Sequence, residues 1–233
     1  MDDTNTEPIV LTYWENTRGP VQPLIYLLEY LKVPYTFETI KGPEEYKAHK
    51  KALKEQGDSF PNLPNIRHKG RYISETRALA EYICTVAGRT DLHAGHTDIV
   101  EWIQLGGILS DTFWDITRPA YAAKDLEDLK KIYKSWALLH HPRFEEMAAL
   151  IRDRGYVLGG DKVTFLDFLL AEVTEKVIAM ETDIGVPCLS VFDGIKQHHE
   201  KVIAIPEIAA YREKNPLNLV DGPWNNPDTA IWY

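Results

Sequence analysis

Several short stretches near the start of the chain carry side chains able to hold a charged or polar ligand. The run Ile9-Val10-Leu11-Thr12-Tyr13 ends on a phenol. A phenol stays protonated at neutral pH and donates a hydrogen bond. At the carboxyl end of a strand in an α/β sheet, such a donor stands where ligands bind. Asn62-Leu63-Pro64 precedes a second β-rich run. Its proline lacks an N–H and can adopt the cis form, which turns the neighbouring backbone outward. Glu75-Thr76 follows Ser74 at the start of an amphipathic run. A helix N-terminus offers open N–H groups and a partial positive charge to a carboxylate. His49, Lys50, Lys51 and Lys54 form a basic cluster in an otherwise acidic chain. Each feature also has an ordinary reading. Tyr13 serves equally as a core aromatic, Pro64 as a turn proline, Glu75-Thr76 as a helix cap and each lysine as a solvated surface group.

The elements that must position these residues follow from periodicity. Ile9 to Tyr13 reads as a buried strand bounded by Pro8. Arg18-Gly19-Pro20 breaks the chain, and Pro20 suits a first helical turn. Val21, Leu24, Ile25, Leu28 and Leu31 then mark an amphipathic helix that Val33-Pro34 stops. Tyr35 to Ile40 alternates as a strand, completing a βαβ unit and a parallel pair. Glu44 to Lys54 is weakly periodic and reads as a loose surface helix. Asn65 to His68 and Arg71 to Ile73 flank Lys69-Gly70, a two-residue hairpin turn. Ser74 is expected to introduce a helix that Gly88 closes. Arg89 to Thr97 is polar and reads as a linker. Beyond it the pattern is helical: Ile99 to about Ala122, Leu126 to about Arg154, a capped helix from Thr164 to about Met180, Val191 to Ala204, and Pro206 to Lys214. Pro216, Pro223 and Pro227 make the last stretch an extended tail. The expected architecture is a small α/β domain over residues 1–89, then an all-helical domain over residues 98–233.

Composition narrows the function. The 233-residue chain is 44% hydrophobic, enough for a sizeable core, and carries a formal net charge of −9. An acidic chain lacks the basic face that displaces counterions from nucleic acid, and it does not favour anionic membrane surfaces. The two cysteines, Cys84 and Cys188, are far apart, so no CxxC metal knuckle or dithiol centre exists. Scattered thiols suit a reducing cytosol. The polar, acidic N-terminus has neither the basic region nor the apolar run of a signal peptide. No metal or cofactor is expected.

The order of elements, together with several motifs, resembles the cytosolic glutathione transferases, most of all the mu class. The matching segments are Tyr13-Trp14 followed by Arg18-Gly19, Leu27-Leu28-Glu29-Tyr30, Phe60-Pro61-Asn62-Leu63-Pro64, Ile73-Ser74-Glu75-Thr76, Gly160 to Phe168, and Ala230-Ile231-Trp232. The resemblance implies a thioredoxin-like first domain, a helical second domain, a cytoplasmic homodimer, and conjugation of glutathione to small hydrophobic electrophiles. Glutathione would be a co-substrate. By carry-over from the family, Tyr13 holds the sulfur as a thiolate and Trp14 and Arg18 border the peptide. Leu63, between Asn62 and a cis Pro64, pairs its backbone with the cysteinyl part. Glu75 and Thr76 take the γ-glutamyl end, and Lys50, Lys51 or Lys54 substitutes for the family's residues at the glycyl carboxylate. Phe60 matches an aromatic that plugs a pocket on the partner subunit. Phe113, Trp114, Ile116, Tyr121 and Trp232 are expected walls of the electrophile pocket. The sequence departs from the mu pattern in three places. Asn16-Thr17 makes the loop after the first strand one residue longer. His49 and Leu53 stand where a tryptophan and a lysine are usual. Glu81 replaces an interface arginine that in mu dimers faces acids on the next helix, while the acids Asp98 and Glu101 remain.

Other functions fit the same fold. One is a ligand-carrying or structural protein without catalysis; another is a glutathione-dependent isomerase or peroxidase. Tyr13 with Glu75-Thr76 favours an enzyme, because a carrier has no need of a donor for the sulfur. The absence of a cysteine at the end of the first strand disfavours thiol exchange.

Overall fold

The computed structural model describes residues 7–15, 17–92, 99–159, 162–185 and 193–215. It divides into two compact units, with the boundary between Thr90 and Asp91.

The first unit is a four-stranded mixed sheet with three helices. In chain order these are β1 (Ile9–Trp14), α1 (Gln22–Leu31), β2 (Tyr35–Ile40), α2 (Pro43–Glu55), β3 (Asn65–His68), β4 (Arg71–Ser74) and α3 (Thr76–Val86). The strand order is β2-β1-β3-β4. β2 runs parallel to β1, as the crossover through α1 requires. β3 is antiparallel to both β1 and β4. The β3–β4 turn places Lys69 at φ 48° and Gly70 at φ 71°, the left-handed pair that matches the twist of a tight hairpin. Ile9, Leu11 and Tyr13 are buried along β1, and Leu24, Tyr26, Leu27 and Leu28 of α1 are fully enclosed. α1 packs on α3, and α3 on β3 and β4.

The ends of α1 and α3 show why they stop where they do. After α3, Gly88 takes φ 66° and donates to Thr85 O, while Arg89 N reaches back to Cys84 O at 2.8 Å. That is the left-handed glycine cap expected from sequence. After α1, Lys32 takes the same conformation at φ 54°, with Val33 N bonded to Leu28 O. Two expectations shift at α2 and α3. The charged segment after β2 is a regular helix, started by Pro43 in its first turn. The cap of α3 is Glu75, not Ser74, because the Ser74 hydroxyl is drawn to Asp58 and to Asn62 O instead.

The second unit is helical: α4 (Ile99–Ala122), α5 (Leu126–Arg154), α6 (Phe165–Ala179), α7 (Asp193–Ile203) and α8 (Pro206–Lys214). One π turn, Met180–Ile184, continues α6. α6 contacts α4 and α7 and is buried along nearly its whole length. It is therefore enclosed all round rather than on one stripe, with Phe165, Leu166 and Phe168 fully buried. Its start is a capping box: Thr164 Oγ1 lies 2.9 Å from Asp167 Oδ2, which also accepts from Thr164 N at 2.7 Å. Among the described residues no helix is long and apolar enough to cross a membrane. The expected tail beyond Asn215 and most of the linker before α4 lie outside the described residues.

Candidate functional site

Strand register sets the site. Thr12 of β1 lies opposite Asn65 of β3, and Asn65 lies opposite Ser74 of β4. The next residues in the same direction are Tyr13, Pro64 and Glu75. The phenol, the proline motif and the helix start therefore stand side by side at one edge of the sheet. Neighbouring strands are about 4.8 Å apart, so the row spans about 10 Å.

Each member of the row is held by a specific local arrangement. Tyr13 is buried, and the loop that returns from β1 to α1 brings Gly19 against its ring. The Leu63–Pro64 bond is cis. Glu75 takes φ 76° and ψ 114°, an unusual conformation for a residue with a side chain, and its side chain is exposed. Residues forced out of the ordinary regions cluster where a ligand is clamped. Thr76 opens α3, whose first N–H groups face the same edge.

Asn62 ties these pieces together. Its N–H donates to Ser74 Oγ at 3.1 Å, and its Nδ2 lies 3.4 Å from Glu75 Oε1. Its Oδ1 accepts from the Tyr46 hydroxyl at 3.1 Å, and its carbonyl accepts from Asn65 Nδ2 at 3.0 Å. A carbonyl can only accept, which assigns the Asn65 amide: the atom facing Asn62 O is the nitrogen. That same nitrogen lies 2.9 Å from His49 Nε2, so His49 accepts there and carries its proton on Nδ1. Burial lowers the pKa of His49, which favours this neutral form. Asp58 closes the other side, accepting from Phe60 N at 2.9 Å and from Ser74 Oγ at 3.3 Å.

α2 contributes an aromatic and a cation. The Tyr46 ring packs against Trp14 at 4.8 Å between centroids and 52° between planes. Lys50 Nζ stands over the Tyr46 ring, 5.2 Å from its centre. Tyr46 is the residue that the sequence reading missed. Its spacing of four from Lys50 on one helix face was the available signal. His49, by contrast, is turned inward to Asn65. The cleft beneath it, about 550 Å³, is lined by Thr12, Glu38, Ile40, Glu45, Ala48 and Ala52. Lys54 is exposed one turn beyond Lys50. Arg18 is half-buried in the β1–α1 loop.

The remaining expected residues fall elsewhere. Phe60 is 84% exposed at the tip of its loop. Phe113 and Ile116 are enclosed in the helical unit: Lys176 Nζ stands 5.0 Å over the Phe113 ring, and Tyr133 donates to Ile116 O at 2.9 Å. Trp114 is half-buried with its ring edge-on to Phe113. The Tyr121 side chain and Trp232 lie outside the described residues. Among the described residues, no three His, Cys, Asp or Glu side chains converge as metal ligands.

Comparison with known proteins bears on this arrangement. A class-mu 26 kDa glutathione S-transferase isozyme of Schistosoma japonicum is 31% identical over 87% of this chain and 87% of its own length. The chain belongs to the glutathione S-transferase family. Residues 111–215 match the family model for the glutathione S-transferase C-terminal domain. Two solved structures share the fold. The prostaglandin synthase D of Nilaparvata lugens is 22% identical with TM-score 0.68, covering 91% of this chain and 100% of that one. The monomeric Na-GST-3 of Necator americanus is 20% identical with TM-score 0.71, covering 91% and 100%. The expected fold, a thioredoxin-like sheet unit followed by helices, is thus met both in the structure and in its relatives.

Proposed function

We propose that this transferase conjugates glutathione to small hydrophobic electrophiles, with the Tyr13 hydroxyl holding the sulfur as a thiolate. The observation that carries the reading is the row of Tyr13, Leu63-Pro64 and Glu75-Thr76 fixed by strand register.

The chemistry follows from the donors present. A free thiol has a pKa of about 8.5, so little is ionised at neutral pH. A hydrogen bond to the charged form lowers that value, and each unit corresponds to about 1.4 kcal/mol of preference for the thiolate. Tyr13 supplies that bond. Leu63, beside the cis proline, turns its backbone to the cysteinyl unit. At the far end, the first N–H groups of α3 and the Thr76 hydroxyl receive the γ-glutamyl carboxylate, and Glu75 pairs with its ammonium. Asn62 holds Glu75 in place from beside the cis proline. Lys50 is the cation for the glycyl carboxylate, because Tyr46 and Trp14 fix its position while Lys54 is a turn away in solvent. Trp14 and Arg18 border the bound peptide.

Pairing with a second copy through Phe60 is part of the proposal. Phe60 is 84% exposed at its loop tip, so its ring is accessible as an aromatic anchor for a partner. Glu101, which the mu pattern would present to a partner's arginine, is instead bonded to Arg154 within its own unit. A cytoplasmic site of action and an electrophile pocket walled by the helical unit complete the reading.

Retention on immobilised glutathione, followed by a panel of electrophiles, tests it. Retention and turnover of chlorinated aromatics are expected. Retention without turnover of any electrophile, or turnover only by isomerisation of a prostaglandin, would replace it with the carrier or isomerase reading.

A further inference from the structure

Gly19 sits in the loop from β1 to α1 with φ 141°. That conformation is open to glycine and strained for any residue with a Cβ. Its carbonyl accepts from Gln22 N at 3.0 Å, which ties its orientation to the first turn of α1. A Cβ placed on Gly19 would lie 2.7 Å from Tyr13 Oη, yet 3.5 Å from Cε1 and Cζ of the same ring. The collision is with the hydroxyl alone; the ring carbons would be in ordinary contact. Tyr13 is 3% exposed, so its hydroxyl cannot yield without turning an enclosed ring. Other glycines differ. Gly57, Gly70, Gly88 and Gly185 also take positive φ, but a Cβ on any of them would meet nothing within 4 Å. They serve turns, whereas Gly19 serves a close approach.

We propose that Gly19 is a positioning residue for the reaction: its missing side chain fixes the seat of the Tyr13 hydroxyl, and through it the place and ionisation of the glutathione sulfur. The inference rests on the reading of Tyr13 as the thiolate donor. Gly19 touches neither the sulfur nor the electrophile; it acts by letting the phenol stand where the sulfur arrives. A Cβ would push the hydroxyl off that line. A hydrogen bond to a charged acceptor loses strength steeply with misalignment.

The test is a double-mutant cycle on the full chain with G19A, Y13F and the pair together. It reads thermal stability, glutathione affinity, and the pH midpoint of the bound thiol from its ultraviolet absorbance. In the wild-type background, G19A is expected to raise the midpoint by about one unit and to cut kcat, with affinity changed by less than about threefold. In the Y13F background, G19A should move neither midpoint nor kcat further. Its stability cost should also shrink there, because the colliding oxygen is gone. Equal effects of G19A in both backgrounds, or no midpoint shift in the wild-type background, would overturn the positioning role. Should G19A fail to fold alone, folding of the double variant supports the hydroxyl contact as the cause. Failure of both assigns Gly19 to backbone conformation only and overturns the proposal. A midpoint unmoved by Y13F itself is a different result: it removes the thiolate reading, and the stability cycle then shows separately whether the contact with Gly19 is real.

Discussion

The two units of the molecule treat polar side chains in opposite ways. In the sheet unit, the polar residues of the site that line the edge sit in loops, at element ends and on the outer face of α2. Asn62, Glu75 and Lys50 are exposed or half-buried, and they are held by hydrogen bonds and ring contacts. In the helical unit, a cluster of charged residues is enclosed. Asp167 is fully buried and accepts from Thr164 N, Val157 N at 2.9 Å and His198 Nε2 at 2.8 Å. Glu172 and Lys176 pair at 3.5 Å inside α6, and Glu175 binds both His199 and Arg212. A buried charge with every bond satisfied contributes to structure and is costly to leave half-paired. An exposed polar group held in one orientation is available to something that arrives. The difference teaches where to look for function in a chain with many charged residues: in the unit whose polar groups are fixed but not consumed.

The contrast can be broken in order of expected effect. Asp167→Ala should be the most severe change. It removes the capping box, leaves Val157 N–H and His198 without their acceptor, and should cost about 3–5 kcal/mol of stability. Urea unfolding of the full chain measures it; a loss below about 1 kcal/mol would mean that the helical core does not depend on this carboxylate. Tyr13→Phe should do the reverse. Turnover should fall by about a hundredfold, on the scale of removing one transition-state donor, while glutathione affinity and melting temperature stay close to wild type. Glu75→Ala should weaken glutathione binding by roughly tenfold through loss of a charge-assisted bond. Calorimetry showing retained affinity would sink that assignment. Phe60→Ala should shift a dimer toward monomer, read by sedimentation, with little change in stability of the single chain.

The smallest effect concerns His49. Burial depresses its pKa in the folded chain, so the unfolded chain binds its proton first as pH falls. Stability from this group is full above the ordinary histidine value of about 6.5 and is lost as pH drops through the depressed value. His49→Gln should flatten that part of the pH–stability curve while leaving neutral-pH stability nearly unchanged.

Much of this arrangement is legible in the residues themselves. Periodicity places α1, α4 and α5 close to their observed bounds, because long amphipathic or apolar runs leave little choice, and Pro206 and Pro216 bracket α8. Lys69-Gly70 announces its hairpin, and Gly88 its helix end, because left-handed conformations are written in residue type. What resists reading is tertiary. Ser74 looks like a cap for α3, but the competing acceptors are Asp58 and the Asn62 carbonyl, twelve or more positions away in the chain. Glu75 then takes the cap position at positive φ, a strain no local rule anticipates. Tyr46 offers only its spacing of four from Lys50 in a charged helix; its role appears when the cis Pro64 loop brings Asn62 to its hydroxyl. His49 reads as one more base in a cluster, and only the Asn65 amide reveals it as an inward acceptor. The sheet register that aligns Tyr13, Pro64 and Glu75 is likewise a property of three strands together, not of any one.

The most direct test of Tyr13 as the thiolate donor is a pH titration of the glutathione thiol bound to wild type and to Y13F, followed by its ultraviolet absorbance. The wild-type midpoint should lie one to two units below the free thiol value of about 8.5, and Y13F should return it close to that value. An identical midpoint in the two proteins would show that the sulfur is ionised by some other group.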